Sequence, residues 1–360
     1  MQSILFAYSG GLDSVVFLHW LSATGKKVIA YTSQFGSQNL IDNKHALHNG
    51  AVEWIVEDMR GKWLKDIVTK ARLMDSIYGG YLLHVALAKI TIAQRLVNIA
   101  QDKGIELVSH GAHKGENDYY RLKKYISHLA EQNNSPITIY SSDQDPAFYR
   151  KFGKDRKRLL LYLKKHGLIA DNPFGDVMTS EPTIMGVNYE NGILQNIEEE
   201  PSHLDFFKVS SQIPVRVCLY FMHGKISKAV IGNKVYFDLL SIVKNLNNLG
   251  LKRGIGYTDT IEQNICGTKA RCVYIQPANY IWHVAHMELG NLVLDKETLC
   301  RRDYISRRSG YLIYHGDWYS QELQSLMKEA VKYNLSFNGW VKMVLFPGFL
   351  RIIGRGHSNV

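Results

Sequence analysis

Cysteine is scarce in this sequence and nowhere paired. Cys218, Cys266, Cys272 and Cys300 are scattered through 360 residues without a CxxC spacing, which excludes a disulfide scaffold and points to reduced, structural thiols. Long apolar runs are missing too. The longest, such as Leu159 to Leu163, fall far short of the roughly 20 residues that a membrane helix needs, so no membrane partner is expected. Met1 to Gly10 has no basic leader of a secretory signal, and a cytoplasmic home is the expectation that follows. No internal repeat, low-complexity tract or heptad stands out, and no metal-ligating residues are picked out.

What is present is the composition of a globular protein. With 46% hydrophobic and 21% charged residues, the chain can bury a sizeable core, and its length suggests two domains. A formal net charge of +10 fits polyanionic partners, but charge alone does not separate nucleic acid from nucleotide phosphates. Nucleic acid is kept as a possible partner, not the favoured one. The basic stretch Arg150 to Lys165 is read as a solvated amphipathic helix with Leu159, Leu160 and Leu163 inward, in preference to a nucleic-acid patch.

Apolar runs and helical spacings alternate through the first half. Ser3 to Ala7 reads as a strand that ends in a glycine turn, and Leu12 to Leu21 reads as a helix. Lys27 to Thr32, Val52 to Val56 and Ile105 to His110 read as further strands, with helices around Leu40 to Asn49 and over Tyr81 to Lys103. This order predicts an α/β fold with a doubly wound parallel sheet. Gly167 to Glu200 is loop-like, and from Pro214 short β-rich segments follow: Val215 to Met222, Lys228 to Phe237 and Ala270 to Gln276. A boundary is therefore placed between residues 168 and 169, separating a nucleotide-binding domain (1–168) from an α+β substrate domain (169–360).

The chemistry-bearing motif is Ala7-Tyr8-Ser9-Gly10-Gly11-Leu12-Asp13-Ser14. Glycines without Cβ let the backbone wrap a phosphate with its N–H groups inward, and a helix beginning near Ser14 aims its positive end at the same anion. Ser9 and Ser14 add hydroxyl donors. No Lys follows the glycines, which excludes GxxxxGK[ST], and the spacing does not fit GxGxxG. The octet resembles the SGGxDS signature of the pyrophosphatase-loop superfamily, whose members cleave ATP between its α and β phosphates. The resemblance implies adenylation chemistry with magnesium.

Within that superfamily the chain resembles argininosuccinate synthase over nearly its whole length. Val28-Ile29-Ala30-Tyr31-Thr32 is similar to that family's second strand. Ser109-His110-Gly111-Ala112 with Asn117, Asp118 and Arg121 is similar to its HGATGKGNDQVR segment. Phe148 to Phe152, Tyr189-Glu190-Asn191-Gly192-Ile193-Leu194, and Gly254-Ile255-Gly256 with Asp259, Glu262, Gly267, Lys269, Arg271 and Tyr274 match in the same order. In that family the ureido oxygen of citrulline attacks the α-phosphate of ATP, pyrophosphate leaves, and the amine of aspartate displaces AMP. The resemblance implies that Ala7 to Ser14, Ser33 and Gly111 hold ATP, with Asp13 and Asp118 in catalytic roles. It implies that Asn117 and Asp118 hold aspartate, and that Tyr81, Arg121, Thr179, Glu262 and Tyr274 clamp the acceptor. An Arg121 guanidinium suits a carboxylate, and a Glu262 carboxylate suits an ammonium group.

Departures from the family cluster at substrate positions. YLLGTSxARP reads Tyr81-Leu82-Leu83-His84-Val85-Ala86-Leu87-Ala88-Lys89-Ile90, so Val85 and Ala86 replace two hydroxyl residues and Lys89 an arginine. His113 stands where a threonine meets aspartate, and Thr179 and Asn188 stand for two citrulline-clamping serines. One lost hydrogen bond to a charged substrate costs roughly 1.5–3 kcal/mol, so several weaken citrulline by orders of magnitude. The expected activity is an AMP-forming C–N ligase joining a citrulline-like ureido or carbonyl group to aspartate or a related amine. The alternative keeps the adenylation and changes the acceptor to a modified small molecule, a peptide or a tRNA base. Homo-oligomerisation is left open. The family's tetramer is not expected, because its long C-terminal segment has no counterpart after Val341 to Arg355.

Overall fold

The computed structural model describes residues 2–36, 45–153, 155–171, 179–198 and 209–358. Five strands, β1 (Ser3–Ala7), β2 (Lys27–Gln34), β3 (Glu53–Asp58), β4 (Leu107–His110) and β5 (Thr138–Ser141), form a parallel sheet in the order β3-β2-β1-β4-β5. The apolar run of β1 is explained by burial on both faces, as expected of a parallel strand. Ile4 and Phe6 pack with Val15, Val16, Phe17 and Leu18 of the helix Leu12–Ala23, while Leu5 faces a second cluster that includes Leu87, Ile90 and Tyr125. Helices therefore cover both faces, which makes the sheet doubly wound.

The rest of the chain is an α+β assembly. Its strands are β6 (Thr179–Thr183), β7 (Gly186–Glu190), β8 (Val215–Met222), β9 (Lys225–Ile231), β10 (Lys234–Tyr236), β11 (Tyr257–Gln263), β12 (Lys269–Ile275), β13 (Gly339–Phe346) and β14 (Phe349–His357). They make two antiparallel sheets, β10-β9-β8-β13-β14 and β11-β12-β7-β6. The first is backed by the helices Leu239–Leu251 and Pro277–Val293, whose Ile242, Leu246, Trp282 and Leu289 share a core with Leu219, Val341 and Met343.

Several sequence expectations change here. Between Gly167 and Glu200, expected as loop, lie the paired strands β6 and β7; residues 172–178 and 199–200 lie outside the described residues. Lys228 to Phe237 is two strands turned at Gly232, which has a φ of 57° that favours glycine. Arg150 to Lys165 is split at Gly153 into the helices Pro146–Phe152 and Arg156–Lys165, each started by an aspartate cap, Asp145 and Asp155. Leu159 and Leu163 are buried in the second as expected, Leu160 is half-buried, and Tyr162 joins them. Of the helix expected around Leu40 to Asn49, His45–His48 is helical and residues 40–44 lie outside the described part. Strand β5 was not foreseen. The thiols are free, with Cys218 and Cys272 buried and Cys266 and Cys300 exposed.

Candidate functional site

The sheet order decides where a ligand can sit. From β1 the chain moves outward to β2, whereas β4 lies on the other side of β1, so the loops after β1 and β4 part over their carboxyl ends and leave a crevice. The Ser9-Gly10-Gly11 loop fills one side of it. Gly10 has φ +81°, and Gly11 starts the helix Leu12–Ala23 with no side-chain cap. The first backbone N–H groups of this helix are thus left to a ligand or to water. Ser14 Oγ donates to the Gly11 carbonyl (3.0 Å) and receives Ser9 Oγ (3.1 Å), which sets both hydroxyls at the loop. On the other side, a Cβ on Gly111 would lie 2.9 Å from Ser14 Cα, so only glycine lets the β4 loop come this close. This is a cradle with the shape and polarity that a phosphate chain needs.

Not every residue of the octet presents its side chain there. Tyr8 is buried, with its hydroxyl on His45 Nδ1 and Asn49 Nδ2 (both 2.8 Å), and Leu12 is core. Ala7 ends β1 opposite His110. Ser33 donates to the Tyr31 hydroxyl (2.6 Å), which donates on to Glu57, so its own hydroxyl serves the sheet face. Asp13 meets His113: Nε2 lies 2.9 Å from Asp13 Oδ1, and Nδ1 lies 3.0 Å from Ser142 Oγ. With the carboxylate accepting at Nε2, that nitrogen carries hydrogen and Ser142 donates to Nδ1 in the neutral ring. His113, Lys114, Asp143 and Tyr149 line a cleft of about 310 Å³ beside the cradle.

The segment that starts at Gly111 leads into the helix Asn117–Gln132, whose first turn carries Asn117 and Asp118. Asp118 Oδ2 receives Lys89 Nζ (2.7 Å) and Oδ1 receives Arg121 Nη1 (3.1 Å); Lys89 also pairs with Glu181 (3.1 Å). Arg121 Nε donates to the Tyr314 carbonyl (2.8 Å), and Asn117 Nδ2 to the Tyr314 hydroxyl (3.0 Å).

The antiparallel sheet β11-β12-β7-β6 closes the other wall. Its register sets Glu262 opposite Ala270, Thr258 opposite Tyr274 and Thr260 opposite Cys272. It sets Tyr274 opposite Asn188, Cys272 opposite Glu190 and Asn188 opposite Glu181. Opposed residues share a face and the period is two, so Glu262, Tyr274, Asn188, Glu190 and Glu181 all lie on one side of the sheet. That side meets Tyr81, whose ring stacks on Tyr274 at 4.1 Å. The Tyr81 hydroxyl accepts from Val85 N (2.8 Å) and Ala86 N (3.2 Å) and so caps the helix His84–Asp102. Asn188 turns inward, accepting from Glu181 N (3.0 Å). Thr179 lies in β6 opposite Glu190.

The charges are unbalanced. Burial alone would raise the Asp118 carboxyl, but the adjacent Lys89 and Arg121 outweigh it and hold it below the usual range. Burial pushes Glu262 up to about 7 against hydrogen bonds from Tyr274 and Tyr314. Burial, with Glu181 and Asp118 nearby, also pushes Glu190 up to about 7. Glu262 Oε1 is buried without a hydrogen-bond partner among the described residues. Sequence reasoning singled out Tyr81, Asn117, Asp118, Arg121, Glu262 and Tyr274, and these lie together. It missed Ser142, Glu181 and Tyr314, and it quoted Glu190 in a motif without giving it a place in the site. Glu181 could have been found from its proximity to Thr179; Tyr314 left no signal.

Two family patterns match the chain, the arginosuccinate synthase N-terminal HUP domain over residues 3–166 and the arginosuccinate synthase C-terminal domain over residues 180–360. Argininosuccinate synthase of Thermotoga maritima is 31% identical over 369 aligned residues, covering 98% of this chain and 88% of that enzyme. That of Pseudothermotoga lettingae is 31% identical, covering 97% of this chain and 83% of that enzyme, and that of Leptospira biflexa 30%, covering 98% and 87%. Among solved structures, a predicted subunit of tRNA methyltransferase from Methanocaldococcus jannaschii overlaps with a TM-score of 0.30 and 14% identity, over 47% of this chain and 90% of that one.

Proposed function

Because the chain belongs to the argininosuccinate synthase family, a family of ATP-dependent ligases, we propose that it forms a C–N bond through an adenylated intermediate and releases AMP and pyrophosphate. The observation that carries this reading is the placement of the Ser9-Gly10-Gly11 cradle at the sheet's switch point, joined by the short Gly111–Asp118 segment to the acidic cleft. One end suits the phosphates of ATP and the other an amino-bearing substrate, so the reacting groups meet between them.

In the proposed first step, a ureido or carbonyl oxygen of the acceptor bonds to the α-phosphorus and the bond from that phosphorus to the bridging oxygen breaks, releasing pyrophosphate. In the second, the amine of aspartate or a related donor attacks the activated carbon, the carbon–oxygen bond to AMP breaks, and the amine loses a proton to solvent. The backbone of Ala7 to Ser14 and of Gly111 binds the phosphates, with Ser9 and Ser14 adding hydroxyl donors; Ser33 contributes through its backbone at the end of β2. Asn117 and Asp118 orient the amine donor. Tyr81, Arg121, Thr179, Glu262 and Tyr274 surround the acceptor.

The Asp13 carboxylate, 40% exposed beside the cradle, fits a magnesium ion, which takes one or two protein carboxylates together with substrate phosphates. Magnesium would neutralise charge on the departing pyrophosphate. His113 holds Asp13 in place. The division into a nucleotide domain ending at residue 168 and a substrate domain beginning at residue 169 is proposed likewise, since the family patterns stop at 166 and resume at 180. Among the described residues no helix is long and apolar enough to cross a membrane, and a cytoplasmic place is proposed from the free thiols.

The test is pyrophosphate release from Mg-ATP with acceptor and aspartate together and with each omitted. Release should require the acceptor, and Asp13→Ala should lower it by at least about a hundredfold, the scale of a lost charge-stabilising group. Unchanged release from Asp13→Ala refutes the assignment of the loop.

A further inference from the structure

The sheet β10-β9-β8-β13-β14, remote in sequence from the phosphate loop, buries one face under helices. Val217, Leu219 and Phe221 of β8 and Val341, Met343 and Leu345 of β13 point into that core. The alternate residues point the other way, and of these Arg216, Tyr220 and Met222 of β8 and Trp340, Lys342 and Phe346 of β13 are exposed or half-buried. Register gathers them: Tyr220 opposes Trp340 on one side and Lys228 of β9 on the other, and Val344 opposes both Arg216 and Arg351. This face carries one sign of charge. Residues 215–237 and 339–357 contain seven lysines and arginines and no Asp or Glu. Arg355 is paired with Glu288 of the helix Pro277–Val293, while Arg216, Lys225, Lys228, Lys342 and Arg351 belong to the outer face.

Rings and cations come there as pairs. Lys228 Nζ lies 3.9 Å from the Tyr220 ring centroid, Lys342 Nζ 4.4 Å from that of Trp340, and the Arg351 guanidinium 4.9 Å from that of Phe346. The indole is also held flat. Opposite Trp340 and Lys342, β14 has Gly356 and Gly354. A Cβ on Gly356 would stand 2.6–2.7 Å from three atoms of the Trp340 ring, and one on Gly354 would stand 3.4 Å from a fourth. The ring therefore rests face-down on a backbone that only glycine leaves bare. At the end of the platform a cleft of about 340 Å³ is lined by Tyr220, Met222, Lys228 and Phe237, the last 72% exposed.

We propose that the outer face of this sheet binds single-stranded nucleic acid, with bases on Tyr220 and Trp340 and phosphates on Lys228, Lys342 and the flanking arginines. A nucleotide offers what each pair asks for, a flat ring for the aromatic and an anion for the cation beside it. An acidic peptide would use the cations and leave the rings idle. A second copy of this chain laid on the same face would set cation against cation. A duplex holds its bases stacked away from a flat sheet.

The test is fluorescence anisotropy with the full chain and a labelled single strand of about 12 nucleotides, a length such platforms cover. The strand is supplied as RNA and as DNA, beside the duplex and an oligoglutamate of equal charge. Binding of either single strand at about 50 mM salt is expected, weakening steeply towards about 200 mM, and the tighter of the two names the source. Tyr220→Ala and Trp340→Ala should each weaken binding by about fivefold or more, while Trp340→Phe, which keeps a ring, should recover most of it. Lys228→Gln with Lys342→Gln should lower the salt slope by about 2; circular dichroism and denaturant midpoints show which variants are folded. No binding at the lower salt overturns the proposal, as does oligoglutamate or duplex binding as tightly as the single strand. Displacement by saturating Mg-ATP, which would put the strand in the phosphate cradle, overturns it too, as do unchanged affinity and salt slope in the folded variants.

Discussion

Glu262 is where the chemistry of the site and its energetic cost meet. Burial lifts its carboxyl from the ordinary 4.5 to about 7, so near neutrality the group is divided between the form that grips an ammonium and the form that does not. Acceptor KM should therefore rise as pH falls below about 7, approaching tenfold per unit, with kcat less affected; a flat KM across about pH 6 to 8 would remove Glu262 from the acceptor. The same shift carries a stability consequence of fixed sign. A raised folded value means that stability is full below 4.5, is lost as pH rises through about 7, and stays lost above it. Glu262→Gln should consequently be more stable than the native chain at about pH 8, by something on the order of 1–3 kcal/mol, with the gap closing towards pH 4.5; urea titrations at the two pH values measure it. At this scale the phosphate loop was legible in the sequence because its eight residues act as one local unit. The acidic face was only half legible. Glu181, Glu190 and Glu262 come together through strand register, and register across β11, β12, β7 and β6 is not written in any one segment.

Among the elements, the helix His84–Asp102 shows how a buried end is satisfied from outside its own sequence. Its N-cap position, Leu83, sits at φ 68° and offers no side-chain acceptor, so a neighbouring hydroxyl does the work. Tyr81→Phe would strip the acceptor from the Val85 and Ala86 N–H groups, both buried, while keeping the stack on Tyr274. A loss of about 1–3 kcal/mol follows from leaving such donors unmade, and a denaturant midpoint unchanged from the native chain would show that water replaces the hydroxyl. Elements whose signal is local were readable. Strand β1 and the helix after it, β2, and β8 declare themselves by apolar runs or helical spacing. Those without it were not. Thr179–Thr183 reads Thr-Ser-Glu-Pro-Thr, with no apolar residue to mark a strand, and is held only by pairing with β7. Strand β5 is four residues at the sheet edge, and the break at Gly153 hides inside a continuous basic run.

At the scale of the whole molecule, one buried carboxylate ties the two halves of the sequence together. Asp75 is fully buried; burial would raise its carboxyl, but Arg302 and His286 hold it well below the usual carboxylate range. Arg302 Nε donates to Asp75 Oδ2 at 2.8 Å with Nη2 2.7 Å from the same oxygen, and His286 Nδ1 lies 2.8 Å from Oδ1. His286 Nε2 meets Asn334 Oδ1 at 2.9 Å, and Asn334 returns to the Leu73 carbonyl at 2.8 Å. The helices Pro277–Val293 and Lys296–Tyr314 supply His286 and Arg302 to Asp75 itself, and Gln321–Asn334 joins through Asn334 on His286 and the Leu73 carbonyl, so three late elements meet around one early segment. Tyr314, which contacts Asn117 and Arg121 in the site, ends the helix that carries Arg302. Position in the site is therefore set in part by an ion pair that lies outside it. Removing one partner of a buried pair leaves the other uncompensated, whereas removing both does not. Arg302→Met should lower stability by about 3–5 kcal/mol and raise acceptor KM, while Arg302→Met combined with Asp75→Asn should recover much of that stability. Guanidinium titrations of the native chain, the single variant and the double variant decide it: equal losses in the two variants would mean that Arg302 matters for its packing and not for its charge.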